Sequence, residues 1–150
     1  MACEVWFYHL ERASLDQVLP ELLEKTLARD WRALVRSNDP ARVEYLDIWL
    51  WAFRDESFLP HGTADEPGAA RQPILLTTTD DNANGAKALF VVDDAEPGDL
   101  TEFERCIVIF DGHDEAAVTA ARTRWPALKA AGHPVTYWRQ GESRGWEKQD

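Results

Sequence analysis

Apolar residues recur along this chain in two rhythms, short near-continuous runs and longer stretches with helical spacing, and the two alternate. Val5-Trp6-Phe7-Tyr8-His9-Leu10 reads as a first strand. Ser14 and Gln17 stand at capping-box spacing, ahead of a helix carrying Leu15, Val18, Leu22 and Leu23. Pro20 falls inside that helix and marks a kink site. Residues 31–35 predict a second strand. Asp39-Pro40 then opens a second helix, with Asp as N-cap and Pro at the first helical position. Val43, Leu46, Leu50 and Phe53 follow at steps of three, four and three, which places them on one core-facing side. The helix should end around 54–56, because the residue before Pro60 is pushed out of the helical region. Further strands are expected at 74–78, 88–92, 106–110 and 135–138, with a helix over about 114–131. Residues 62–72 mix Gly, Pro, Ala and charge and read as an exposed, mobile loop, while the tail 141–150 is polar apart from Trp146. Apolar strands separated by helices predict an α/β fold, Rossmann-like, with a mostly parallel sheet flanked by helices on both faces.

The second helix and its exit turn carry five aromatics: Tyr45, Trp49, Trp51, Phe53 and Phe58. A helix that only packs on a sheet needs one apolar stripe. Here Tyr45, Ile48, Trp49 and Ala52 form a second apolar side, and Trp51 falls nearer the polar edge. The excess calls for either a deep core or a docking surface for another protein.

With 150 residues, 45% of them hydrophobic, the chain is expected to form a single domain (1–150) around one sizeable core. It has no apolar run of about 18 residues, and its start lacks the basic and apolar segments of a signal peptide. A cytoplasmic protein with no membrane contact is expected. Cys3 and Cys106 are too few for a zinc site or disulfide framework and read as buried thiols. The net charge of −11, from 27 acidic and 16 basic residues, disfavours tight DNA binding, so any DNA contact is expected to be weak or indirect.

Nucleotide motifs fail: no G-x-G-x-x-G follows the first strand, and Gly85-Ala86-Lys87 lacks the rest of a phosphate loop. Without a glycine-rich turn, backbone amides cannot approach a pyrophosphate, and no cofactor is expected. Asp93, Asp94 and Asp111 follow strands and give an alternative, a metal-dependent phosphoryl-transfer enzyme holding Mg²⁺ at the sheet edge. They serve equally as turn residues and helix caps. His9, His61, His113 and His133 show no ligand spacing, and no serine sits in a G-x-S-x-G elbow.

After Gly112, Ala117, Ala121 and Leu128 can face the sheet, while Val118, Arg122, Trp125 and Lys129 share another side at steps of four, three and four. A fixed cation, a flat aromatic and a second cation suit a short peptide with an acidic and aromatic C-terminus. Arg122 would fork onto its carboxylate, and Trp125 and Val118 would form an apolar shelf. The spacing alone is met as well by a solvated helix face with a snorkelling arginine and a half-buried tryptophan.

The chain resembles the chi subunit family of the bacterial DNA polymerase III holoenzyme. The likeness rests on W-x-F-R-D-E-S-F-L-P-H-G from Trp51 to Gly62, P-I-L-L-T from Pro73, A-L-F-V-V-D-D-A from Ala88 and F-E-R-C-I-V-I-F-D-G from Phe103. A-A-R-x-x-W from Ala120 and G-H-P-V-T-Y-W from Gly132 complete it. The F-L-P-H-G turn together with the A-A-R-x-x-W helix is the more specific part. The resemblance implies a non-catalytic accessory subunit in DNA replication. It would link the clamp loader, through the psi subunit or an equivalent partner, to the acidic C-terminal tail of single-stranded DNA-binding protein. It assigns tail binding to Arg122 and Trp125, with Val118 and Lys129 on the same face, and psi or helicase-partner binding to Trp51 and Phe58. Pro126 and Val118 stand where better-known members carry lysines, and Asp111 where they carry an apolar residue, so a less basic tail site is expected, with Arg124 or Lys129 compensating.

Overall fold

The computed structural model describes residues 3–11, 14–52, 60–64, 66–79, 81–93, 95–140 and 146–149. Its strands are Glu4–Leu10 (β1), Ala33–Arg36 (β2), His61–Thr63 (β3), Ile74–Thr77 (β4), Ala88–Val91 (β5), Arg105–Asp111 (β6), Val135–Gln140 (β7) and Trp146–Gln149 (β8). Among the described residues three α-helices connect them: Leu15–Ala28 (α1), Pro40–Ala52 (α2) and Glu115–Ala130 (α3). The strands form one sheet in the order β3-β4-β2-β5-β6-β1-β7-β8. Every neighbouring pair runs parallel except β7 with β8.

Side chains alternate across the sheet, and the two faces carry separate cores. On one face Val5, Phe7, Leu34, Leu75, Leu89, Cys106 and Val108 pack beneath Ala117 and Ala121 of α3. On the other, Tyr8, Leu10, Val35, Ile74, Leu76, Phe90, Ile107 and Ile109 pack beneath α1 and α2. The two helices on this face contribute Val18, Leu19, Leu22 and Leu23, and Val43, Leu46 and Leu50. Both faces are thus buried, as the unbroken apolar strands require. The expected core face of α2 is borne out at Val43, Leu46 and Leu50; Phe53 lies outside the described residues.

The helix-start signals take physical form. The Gln17 side chain accepts from the Ser14 amide at 3.0 Å, the reciprocal leg of the capping box. Asp39 accepts from the Ala41 amide at 3.0 Å, ahead of Pro40. Pro20 has no N–H for the carbonyl of Asp16, four residues earlier. That carbonyl is taken instead by the indole N–H of Trp49 on α2, at 2.7 Å. A helix defect in α1 thereby becomes one of the bonds that tie α1 to α2. Asp30, at φ 61°, then turns the chain from α1 into Trp31, using the tolerance of Asp for the left-handed region.

Three expectations need correction. β2 starts at Ala33, and Trp31 stands half-buried ahead of it. The stretch expected as a mobile loop holds most of β3, which pairs with β4 and buries Gly62, and a 3-10 turn at Ala69–Arg71. The polar tail supplies β8, hydrogen-bonded to β7. A three-residue strand and a polar strand, each paired on one side only, show no apolar run because backbone pairing rather than burial holds them.

Trp49→Phe keeps the ring and removes the donor, so it should cost about 1 kcal/mol by urea denaturation. In a Pro20→Ala background the Asp16 carbonyl gains a helical N–H, and the same change should cost clearly less. Equal costs in the two backgrounds would show that the proline-freed carbonyl plays no part.

Candidate protein-binding surfaces

Asp114 opens α3 by accepting from the amides of Ala116 (3.0 Å) and Ala117 (3.3 Å). Gly132, at φ 97°, closes it: the His133 amide reaches the Leu128 carbonyl and the Gly132 amide reaches that of Lys129. Between these caps Ala117 and Ala121 face the sheet, and their small side chains bring the helix close to it. Val118, Trp125 and Leu128 are half-buried along the edge of the same contact. The Trp125 ring lies 5.1 Å from Tyr137 and 5.8 Å from Phe7, so the sheet props it in place. Arg122 and Lys129 are exposed. The structure therefore divides the four residues grouped by spacing: two cations point outward, and Val118 and Trp125 sit where helix meets sheet. Arg124 turns to Glu96 at 3.2 Å and is engaged there. Pro126 lies within α3 and has no N–H for the carbonyl of Arg122.

Beside Arg122 lies a polar cluster that sequence reasoning missed. His9, buried at the end of β1, meets the Tyr137 hydroxyl through Nδ1 at 2.5 Å, and its Nε2 stands 3.6 Å from Glu11. Arg139 clamps Glu11, with Nη2 at 2.6 Å and Nε at 2.8 Å. Gly112 makes room for this arrangement, because a Cβ there would come within 2.1 Å of His9 Nε2. Burial holds the His9 imidazole below its ordinary range; Arg139, His113 and Arg122 also oppose its protonation, while Glu11 favours it. Burial likewise pushes the Tyr137 phenol up, against the pull of Arg139 and Arg122. The only sequence signal for this cluster was one polar residue, His9, in an otherwise apolar run.

The second surface is on α2. Tyr45, Ile48 and Trp51, at steps of three, are 43%, 69% and 51% exposed. The Trp51 ring lies 4.2 Å from that of His61, and buried His61 is held by Asp47, with its carbonyl at 2.9 Å and its carboxylate at 3.2 Å. Tyr45 donates to Asp16 on α1. Trp49, expected on the same side, is half-buried and turned to α1. Phe58 lies outside the described residues.

Asp93 and Asp111 line one crevice of about 630 Å³ at the carboxyl ends of the strands, together with Glu11, Arg42 and His113. Their carboxylates have structural partners. Asp93 accepts from Ser37 at 3.1 Å and Arg42 at 3.2 Å, and Asp111 accepts from the His113 amide at 2.8 Å. Asp94 lies outside the described residues. Among the described residues no three His, Cys, Asp or Glu side chains gather as a metal would need. No helix among them is long and apolar enough to cross a membrane.

Because the folded-state pKa of His9 is depressed, the folded state binds fewer protons than the unfolded one as pH falls below about 6.5. Stability should drop through that window and level off once folded His9 is itself protonated. Urea midpoints at about pH 7.5 and 5.5 should diverge more for wild type than for His9→Gln. An equal shift in both would remove His9 as the source.

Compared with known proteins, residues 2–136 match the family model described as "DNA polymerase III chi subunit, HolC". The chain is 25% identical over 103 residues to the probable DNA polymerase III subunit chi of Rickettsia prowazekii, covering 69% of this chain and 62% of that protein. It is 29% identical over 119 residues to the DNA polymerase III subunit chi of Pseudomonas aeruginosa, covering 79% and 82%. With the Escherichia coli protein of the same name it shares 22% over 120 residues, covering 80% and 82%.

Proposed function

The chain belongs to the DNA polymerase III chi subunit family, and on that premise we propose that it is an accessory replication subunit that works through two protein-binding faces rather than by catalysis. The α3 face takes the acidic C-terminal tail of single-stranded DNA-binding protein. The α2 face takes the psi subunit or an equivalent partner and so connects the chain to the clamp loader.

The observation that carries the first assignment is the pairing of an exposed Arg122 with a propped Trp125 on one helix flank. Among the described residues no carboxylate is paired with Arg122, so its guanidinium can fork onto a chain-terminal carboxylate. Trp125, held against Phe7 and Tyr137, offers a flat apolar edge that loses little freedom on binding. Val118 extends that edge by two helical turns, and exposed Lys129 adds a second cation. Arg124 is committed to Glu96, so Lys129 is the better candidate to compensate for the valine and proline that replace lysines. On α2, Tyr45, Ile48 and Trp51 give an apolar strip with aromatic anchors of the kind that dominate interfaces, and Phe58 joins them by the family pattern.

A labelled tail peptide from the same organism's single-stranded DNA-binding protein, followed by fluorescence anisotropy, tests the tail site. Wild type should saturate in the micromolar range (about −8 kcal/mol) and weaken with salt. Arg122→Ala should bind roughly tenfold or more weakly, the loss expected for a charge-assisted bond. Trp51→Ala should leave tail binding unchanged while weakening capture of psi. Full tail binding by Arg122→Ala would refute the site.

A further inference from the structure

We propose that the sheet face opposite α3 carries a stacking platform for single-stranded nucleic acid, built from Trp6, Trp31 and Trp138 interleaved with Arg29 and Arg105. Alternation on β1 sends Glu4, Trp6, Tyr8 and Leu10 to the α1 side of the sheet. There α1 packs over β2 and β6 and α2 over β3 and β4, with Tyr8 and Leu10 of β1 buried in the same core, while Trp6 on β1 and Trp138 on β7 stay half-buried. What stands there is aromatic. Trp6 is 6.0 Å from Trp138 and 6.4 Å from Tyr8, ring centre to ring centre. The guanidinium of Arg105 lies between two indoles, 4.0 Å from Trp6 and 5.3 Å from Trp31, and that of Arg29 covers Trp31 at 4.4 Å. Trp6, Trp31, Trp138 and Arg105 are half-buried, and Arg29 is exposed at the end of the row.

The chemistry of the row selects its occupant. Rings and guanidinium planes alternate along it, so the row is flat and positive at once. Planar bases stack on guanidinium planes as well as on rings, and the same guanidiniums meet the phosphates. Charge complementarity is local. Arg29 and Arg105 share the patch, Arg105 has Glu4 only at 3.7 Å, and among the described residues no carboxylate is paired with Arg29. Lys25, exposed one helical turn before Arg29, extends the positive edge. Against a chain of net charge −11, such a patch binds through stacking more than through charge. Affinity is therefore modest, the sequence preference slight, and the salt dependence shallow, with a logarithmic slope of roughly −1 to −2, as for two phosphates.

The test is anisotropy of a labelled oligothymidylate of about 15 nucleotides titrated with the full chain at low and moderate salt, read alongside tryptophan quenching. Wild type should bind saturably, and Arg29→Glu and Trp138→Ala should each weaken binding by about tenfold or more. Arg29 is a surface residue at a helix end, so its variant should keep the wild-type circular dichroism and melting temperature even if Trp138→Ala does not. Arg29→Glu should still bind the acidic tail peptide, and Arg122→Ala should still bind the oligonucleotide, which separates this surface from the α3 site. Absence of saturable binding by wild type, or full binding by a folded Arg29→Glu, overturns the proposal. Oligonucleotide binding lost in Arg122→Ala alone moves it to α3 and overturns it too. Self-association in sedimentation without oligonucleotide binding gives the face to a second copy of the chain and likewise overturns it.

Discussion

The fold depends on β1 being hydrogen-bonded on both sides by strands from the far end of the chain, β6 and β7. A parallel neighbour cannot be reached by a tight turn, so each connection around β1 must cross a face of the sheet through a helix. The chain leaves β1 through α1 to reach β2, beyond β6 and β5, and later leaves β6 through α3 to reach β7 on the other flank of β1. α1 lies on one face and α3 on the other. Where β1 and β6 end side by side, their connections part, and the crevice lined by Glu11, Asp93, Asp111 and His113 opens there. In related architectures such a crevice holds a nucleotide. Here Asp93 and Asp111 on its wall already have partners, and the sequence after β1 carries no glycine-rich turn.

The same parting explains the surfaces. One face receives two helices over its β2, β4 and β6 region, and the other receives one helix over β6 and β7. α3, the one α-helix described on its side, leaves a flank from which Arg122 and Lys129 project beside the propped Trp125. α2 buries Val43, Leu46 and Leu50 and presents the opposite side outward. The hydrogen bond from Trp49 to the carbonyl freed by Pro20 fixes how α2 sits on α1, and so which of its aromatics face out. A residue with the look of an interface anchor thus turns inward, and its neighbours Tyr45, Ile48 and Trp51 are displayed.

Legibility in the sequence followed the physics of each element. Strands buried on both faces, and helices with capping residues at their heads, announce themselves because burial and capping are local chemical demands. β3 and β8 were hidden because backbone pairing to one neighbour makes no demand on side-chain pattern. At the α3 face, spacing grouped Arg122 and Lys129 with Trp125 and Val118 but could not fix how deeply each is buried. Helical periodicity gives angles, whereas burial depends on how close the helix comes to the sheet, which Ala117 and Ala121 set. The cluster of His9, Tyr137, Glu11 and Arg139 was illegible for a different reason. Its members come from strands 128 residues apart in sequence, brought together by the β1–β7 pairing alone.

Charge is the remaining constraint on how such a molecule can work. A surface with an excess of eleven negative charges repels an acidic tail and a phosphate backbone alike. Screening confines that repulsion to about 8–10 Å at ordinary salt, and within that range a single unpaired arginine on a rigid aromatic support decides the local sign. Binding at the proposed surfaces would be weak and selective: acidic surroundings turn away anions that cannot stack or chelate, and the few cations hold those that can. Weak contacts suffice where one chain is tethered to a partner that presents many copies of the same ligand, since effective concentration then supplies what each contact lacks. On the proposed function, an acidic accessory subunit would stay mobile over coated single strands, whereas a basic surface would hold it in one place.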